Sequence, residues 1–283
     1  MHAAATPVPL TDRDAVLDIV GTGGDRAHTI NVSTLSALVV AGAGGRVCKH
    51  GNRAASSSCG TADVLEALGV AIELGPEGVA ACVDEAGIGF CFAPRYHPAM
   101  RHAGPPRRDL GIPTAFNILG PMSNPGRVRR YLLGVADGRM SHRMAEVLRA
   151  NGTTRAFIVH GGDGLDELTT TGPSTVVELR DGEIREWALD PRDLGLAPAR
   201  AADLVGGDPA RNAELARRVL AGEPGPHRDI VLLNAGAALV VADLAVDVSA
   251  GVAAAAAAID DGRAAAALER LVATSQRAAS AEA

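Results

Sequence analysis

Apolar residues fall along this chain in short runs separated by glycine-rich or charged turns, and their spacing predicts alternating strands and helices. After a polar lead-in at Leu10–Asp14, Val16–Val20 reads as a buried strand. Thr34–Ala43 reads as an apolar helix of small residues, entered at Ser33 or Thr34 as N-cap. Arg46–Lys49 is a second strand, and Ala62–Leu68 a helix with Val64, Leu65 and Leu68 on one face, stopped by Gly69. Pro76–Ala86, with proline in its first turn, is a helix leading to the strand Ile88–Phe92.

The pattern then breaks. Ala93–Pro125 holds seven prolines and a cluster of Arg and His, with short helices predicted only near Pro98–Ala103 and Ile112–Leu119. This stretch reads as an excursion from the sheet, lining one wall of a cleft. Alternation returns with strand Tyr131–Ala136, helix Ser141–Asn151 and strand Ala156–His160. Two further strands follow near Thr175–Leu179 and Glu183–Trp187, and beyond Asp208 the chain is Ala-rich helix, with Ser275–Ala283 expected to fray. The fold class is α/β, a mostly parallel sheet flanked by helices.

Composition narrows the picture. Hydrophobic residues make up 47% of the 283 positions but aromatics only 2%, so Ala, Val, Leu and Ile must fill the core. A net charge of -6 argues against nucleic acid as the partner. Cys48, Cys59, Cys82 and Cys91 form no CxxC pair and read as reduced thiols of a cytoplasmic protein. The first residues show no signal-peptide pattern. No apolar run is long enough to span a membrane, and Val231–Val241, interrupted by Asn234, reads as a core helix.

Three stretches carry chemistry. Asp18–Thr34, DIVGTGGDRAHTINVST, places a triple-glycine turn between a strand end and a helix start, where free N–H groups and the helix dipole favour an anion. The same pattern also serves as a plain strand–helix connector, and it is neither the dinucleotide fingerprint nor a Walker loop. Lys49–Ser57, KHGNRAASS, gathers cations, an imidazole and hydroxyls at a strand's C-terminal end, where α/β folds place ligands. Asp166-Glu167, past another strand, are adjacent carboxylates that suit Mg²⁺ shared with substrate phosphates, or form an acidic turn. Asp163 beside them reads as turn chemistry. In the excursion, Arg107 suits a planar carboxylate, and His97 is either a neighbour of that site or a helix-entry histidine.

In this order, DIVGTGGD, NVST, KHGNRAASS, YHPA, FNILGP and HGGDGLDELT resemble the motifs of anthranilate phosphoribosyltransferases of tryptophan biosynthesis. The likeness runs from about Val16 through LLNAGAAL to Leu271. It implies transfer of phosphoribose from 5-phosphoribosyl 1-pyrophosphate (PRPP) to anthranilate, with Mg²⁺ bound. It also implies a nucleoside phosphorylase/phosphoribosyltransferase fold, with residues 11–92 and 127–283 forming the donor-binding domain. Residues 93–126 would then belong to a small helical domain, the site lying in the hinge. Donor contacts would be Gly21, Gly24, Asp25, Thr29, Asn31, Val32, Ser33 and Thr34, then Lys49, His50, Gly51, Asn52, Arg53, Ala54, Ala55, Ser56, Ser57 and Thr61. Anthranilate would meet Gly21, His50, Asn52, His97 and Arg107; Ser33, Asp166 and Glu167 would hold the metal, and Lys49 would stabilise charge.

Two departures stand out against the family. Arg26 follows GTGGD where glycine is the more usual residue. The family's leading helices, which form much of its small domain and its homodimer contact, have no counterpart before Val16, and MHAAATPVPL resembles the tail of the last of them. The expectation is a start at an internal methionine, or a partner covering the surface of Ile112, Phe116, Ile118 and Leu119; alone, the chain should be monomeric or aggregating and bind a hydrophobic dye. The competing readings are a pyrimidine nucleoside phosphorylase, which has no use for Arg107 or the Asp-Glu pair, and a nucleic-acid-binding relative, which needs a basic face.

Overall fold

A computed structural model of the chain describes residues 1–54, 58–112 and 114–283, and all of these but the Arg108 side chain are covered below. The first half alternates as its periodicity predicts: β1 (Val16–Gly21), α1 (Val32–Gly42), β2 (Arg46–Gly51), α2 (Thr61–Ala67), α3 (Pro76–Ala86) and β3 (Ile88–Phe92). Among its described residues the excursion holds three short α-helices, α4 (Ala93–Tyr96), α5 (Gly104–Leu110) and α6 (Ala115–Leu119), and a 3₁₀ helix at Pro98–His102 where the sequence predicts one. Then come β4 (Arg130–Gly134), α7 (Ser141–Ala150), β5 (Arg155–Gly161), β6 (Ser174–Arg180) and β7 (Glu183–Leu189). Four helices close the chain: α8 (Pro209–Leu220), α9 (Pro226–Val241), α10 (Val248–Asp260) and α11 (Arg263–Glu282).

The strands form one sheet in the order β3-β2-β1-β4-β5-β6-β7. β1 to β5 are parallel, and β6 and β7 are antiparallel additions at one edge. From β1 the chain winds outward through β2 and β3, then crosses back to β4 on the other side. The C-terminal ends of β1, β2 and β4 therefore flank a reversal of strand order, where open α/β sheets hold ligands. α1 is buried along nearly its whole length and packs against α9 and α11, which its run of Ala, Val and Leu permits. None of the four buried cysteines is in a disulfide. Among the described residues no helix is long and apolar enough to cross a membrane.

Some boundaries differ from the sequence reading, for local as well as long-range reasons. α1 starts earlier, with Asn31 rather than Ser33 or Thr34 at the N-cap. β2 runs on to Gly51 because β3 pairs with it as far as Gly51 and Phe92, so His50 is a strand residue. α6 starts at Ala115 because Thr114 caps it, its N–H bonding Asn117 Oδ1 at 3.0 Å. The C-terminus does not fray. Ser275 Oγ accepts the Ala71 N–H at 3.0 Å, and the Glu282 carboxylate accepts the Gly75 N–H at 2.9 and 2.8 Å. The excursion buries none of the α6 side chains, and Leu110, Ile112 and Leu119 stand exposed.

α9 also fixes the loop after β5. Asn234, fully buried, accepts the Leu168 N–H at 3.0 Å and donates to Leu168 O at 2.8 Å and Ile230 O at 2.9 Å. Leu168 follows the Asp166-Glu167 pair directly. Replacing Asn234 with Leu strands both backbone groups of Leu168, at about 1–3 kcal/mol each. Urea unfolding of Asn234→Leu should show a midpoint lowered to match, with an unchanged m-value.

Candidate active site

The turn after β1 is built by glycine. Gly23 (φ 68) and Gly24 (φ 87) lie in the left-handed region, and the Gly23 N–H donates to Asp166 Oδ2 at 2.6 Å. The Thr22 N–H reaches Gly134 O at 3.0 Å and its Oγ1 accepts the Ala136 N–H at 3.1 Å, tying the turn to the end of β4. Arg26 (φ 59) is also left-handed, which explains why glycine suits that position: a non-glycine residue there costs of order 1–3 kcal/mol. Its side chain is exposed.

Asp166 sits where two glycines make room. A Cβ on Gly134 would fall 1.6 Å from Asp166 O, and one on Gly21 would fall 2.3 Å from Asp166 Oδ2. Both strand ends must therefore lack a side chain for the carboxylate to reach the glycine turn. Glu167 beside it is half-buried and accepts the Ser33 N–H. Asp163, as expected, is a turn residue, accepting from Thr169 and Thr171 hydroxyls at 2.7 Å each.

Lys49 projects from β2 into the same space with 1% exposure. Its Nζ donates to Ile19 O and to Ser33 Oγ, the latter at 3.1 Å. Burial pulls its pKa down, while Asp18, Glu167 and Asp166 draw it up. Burial pushes Asp166 up to about 7, helped by Asp25, and raises Glu167 well above the carboxylate range, helped by Asp166. Several carboxyl groups thus crowd one ammonium, and burial and mutual repulsion favour their neutral forms, which a cation among them would reverse. Beneath them, Asp18 accepts the His50 N–H at 3.1 Å and Asn124 Nδ2 at 2.7 Å. Asn124 also donates to Cys48 O at 2.7 Å, so the pair clamps β2 on either side of Lys49.

The remaining candidates divide. His50 and His97 are buried and meet through their Nε2 atoms at 3.2 Å, a contact that leaves room for one proton between them, and burial lowers the pKa of both. Thr34 Oγ1 donates to Thr61 Oγ1 at 3.4 Å. Asn31 is committed to structure, donating to Cys59 O at 3.1 Å and accepting from Asn212 at 2.9 Å. Thr29 forms a β-bridge with Val205, and Val32 opens α1. The Arg53 guanidinium turns to Asp63 and Glu66 on α2 and lies 5.5 Å from the Phe92 ring. Asp63 also accepts the Ala54 and Gly60 N–H groups at 2.9 and 2.8 Å, closing the loop's base. Asn52 is exposed, its Oδ1 accepting the Arg53 N–H. Ala55, Ser56 and Ser57 lie outside the described residues. Arg107 on α5 bonds Asn117 Oδ1 at 3.2 Å and covers the Phe116 ring; no described bond joins it to His50, His97 or Asn52.

Sequence reading passed over Asp18, Asn124, Gly134 and Asp63. Only Asp18 carried a local signal, a charge inside an apolar strand.

This fold and site define a glycosyl transferase: the family model described as "Glycosyl transferase family, a/b domain" matches residues 13–265. An anthranilate phosphoribosyltransferase of Salinispora arenicola is 56% identical over 276 residues, covering 96% of this chain and 78% of the relative. The crystal structure of the Thermus thermophilus enzyme of that name is 47% identical with a TM-score of 0.92, covering 98% of this chain and 82% of that one. The Saccharomyces cerevisiae enzyme in complex with PRPP and Mg is 30% identical with a TM-score of 0.89, over 97% of this chain and 77% of that one; it is also known in complex with 4-fluoroanthranilate. The chain belongs to the anthranilate phosphoribosyltransferase family.

The histidine pair gives a pH test. Burial, followed by His97, Lys49 and His2, lowers His50 to about 3 from an ordinary 6.5. Below pH 6.5 the unfolded chain binds a proton that the folded chain refuses, so stability is lost as pH falls toward 3, at up to about 1.4 kcal/mol per pH unit. Asp18, raised to about 6 chiefly by burial, acts in the opposite sense in both proteins compared. His50→Gln should therefore lose less stability than the parent between pH 6.5 and pH 4, measured by denaturant unfolding; equal slopes would contradict this.

Proposed function

We propose that this chain transfers the 5-phosphoribosyl group from PRPP to the amine of anthranilate, giving N-(5-phosphoribosyl)anthranilate and pyrophosphate, the second step from chorismate to tryptophan. The observation that carries the reading is the convergence of the glycine turn, buried Lys49 and the Asp166-Glu167 pair at the strand reversal. In the reaction the C1–O bond to pyrophosphate breaks, the amine nitrogen bonds C1, and the amine gives up a proton. Charge develops on the leaving group, and fixed donors aimed at it lower the barrier. The N–H groups of the glycine turn and of the start of α1, with the Lys49 ammonium, are proposed to fill that role.

Asp166, Glu167 and the Ser33 hydroxyl would offer hard oxygen donors to Mg²⁺. The buried, mutually repelling carboxyls of Asp166 and Glu167 fit such an ion, which would favour their charged forms. When bound, it supplies charge neutralisation on the pyrophosphate. On the acceptor side, Asn52, His50 and His97 are proposed to border anthranilate, and Arg107 to bind its carboxylate from the excursion. That assignment asks Arg107 to exchange Asn117 for the substrate. No protein nucleophile takes part.

Anthranilate fluorescence should fall when PRPP and Mg²⁺ are added together. Arg107→Ala should raise the KM for anthranilate roughly ten- to hundredfold, since a charge-assisted pair contributes roughly 1.5–3 kcal/mol, and leave the KM for PRPP near its parent value. Asp166→Asn with Glu167→Gln should abolish turnover in a folded protein. Phosphorolysis of thymidine or uridine, without loss of anthranilate, would contradict the proposal.

A further inference from the structure

A second concavity, of about 380 Å³, opens at the other end of β4 from Gly134. It lies between His2 and Ala3, the turn entering β4 and the C-terminal end of α7, and Tyr131 in its wall is three strand positions, roughly 10 Å, from Gly134. Three guanidinium groups, Arg13, Arg127 and Arg129, line it in a chain whose net charge is negative. The acid against them is Asp14, 3.8 Å from Arg13 and 3.5 Å from Arg129, and it is more than half exposed. Such long, solvated pairs contribute little. Arg127 has no ion pair among the described residues.

Arg127 is also conformationally unusual. It closes the turn through its N–H to Asn124 O at 3.0 Å, with φ at 50, the left-handed region where glycine is preferred. The chain keeps a long cationic side chain where the backbone favours none, and such outliers point to function. Tyr131 adds a polar feature of its own. It is 2% exposed, and none of the hydrogen bonds of the described residues engages its hydroxyl. Buried Met122 and Leu148 complete an apolar floor.

We propose that this cavity binds a small carboxylate with an apolar body, separate from the catalytic site. Its carboxylate would meet Arg127 and Arg129, and its body would cover Met122, Leu148 and the Tyr131 side chain. A bare oxyanion such as phosphate would satisfy the guanidinium groups but leave the floor and the tyrosine unused. An apolar-bodied acid engages all three.

The chain holds two tyrosines, Tyr96 and Tyr131, so 3-fluorotyrosine incorporation gives two ¹⁹F resonances, assigned with Tyr96→Phe. Benzoate titrated into the full chain should move the Tyr131 resonance saturably. Arg127→Gly, which suits the left-handed backbone, should weaken that effect at least roughly tenfold, the value of one charge-assisted contact, with anthranilate turnover intact. Arg129→Gln should weaken it in the same direction, and Arg107→Ala should leave it unchanged. The proposal is overturned if the Tyr131 resonance stays fixed, if its shift survives Arg127→Gly, if Arg107→Ala removes it, or if phosphate competes with benzoate at equal concentration.

Discussion

Taking an ammonium out of water costs several kcal/mol, and Lys49 is almost wholly buried. That cost is tolerable only where carbonyl, hydroxyl and carboxylate oxygens surround the charge, and these come from separate elements. β1 supplies Ile19 O and Asp18, the first turn of α1 supplies Ser33, and the loop after β5 supplies Asp166 and Glu167. The parallel order of β2, β1, β4 and β5 brings those pieces to one edge of the sheet. The same oxygens outnumber the lysine, and burial holds the carboxyls Asp166 and Glu167 toward their neutral forms.

Close packing enforces this arrangement from below and behind. Asp18 and Asn124 hold β2 on both sides of Lys49, and Asn234 grips Leu168 behind the carboxylates. Gly21 and Gly134 leave the width through which Asp166 approaches the glycine turn. The excursion is less tightly built. Arg107 is held by Asn117 and Phe116 within short helices that bury little, and the exposed Leu110, Ile112 and Leu119 belong to the same segment.

Local pattern carried much of this. α3 and β3 have the bounds their sequences predict, because a proline start, a glycine stop and continuous apolar runs are local signals. The glycine turn, Lys49–His50 and Asp166-Glu167 were legible for the same reason: glycine density and clustered charge announce themselves in a few residues. What was not legible depends on partners far along the chain. Asn124 matters through Asp18, 106 positions away, and Glu282 keeps α11 helical by capping α3 across 207. Gly134 looks like any strand glycine until the Asp166 backbone is laid across it. Arg53, a donor contact by resemblance, bonds Asp63 and Glu66 on α2, partners that nothing within KHGNRAASS announces.

The most direct measurement is calorimetric titration of PRPP, with Mg²⁺ present, into the parent and Lys49→Met, with circular dichroism confirming that both are folded. If the buried ammonium is held in place to meet the pyrophosphate, the variant should bind PRPP roughly ten- to hundredfold more weakly, the range of a charge-assisted hydrogen bond. A folded Lys49→Met protein that binds PRPP as tightly as the parent would contradict the account.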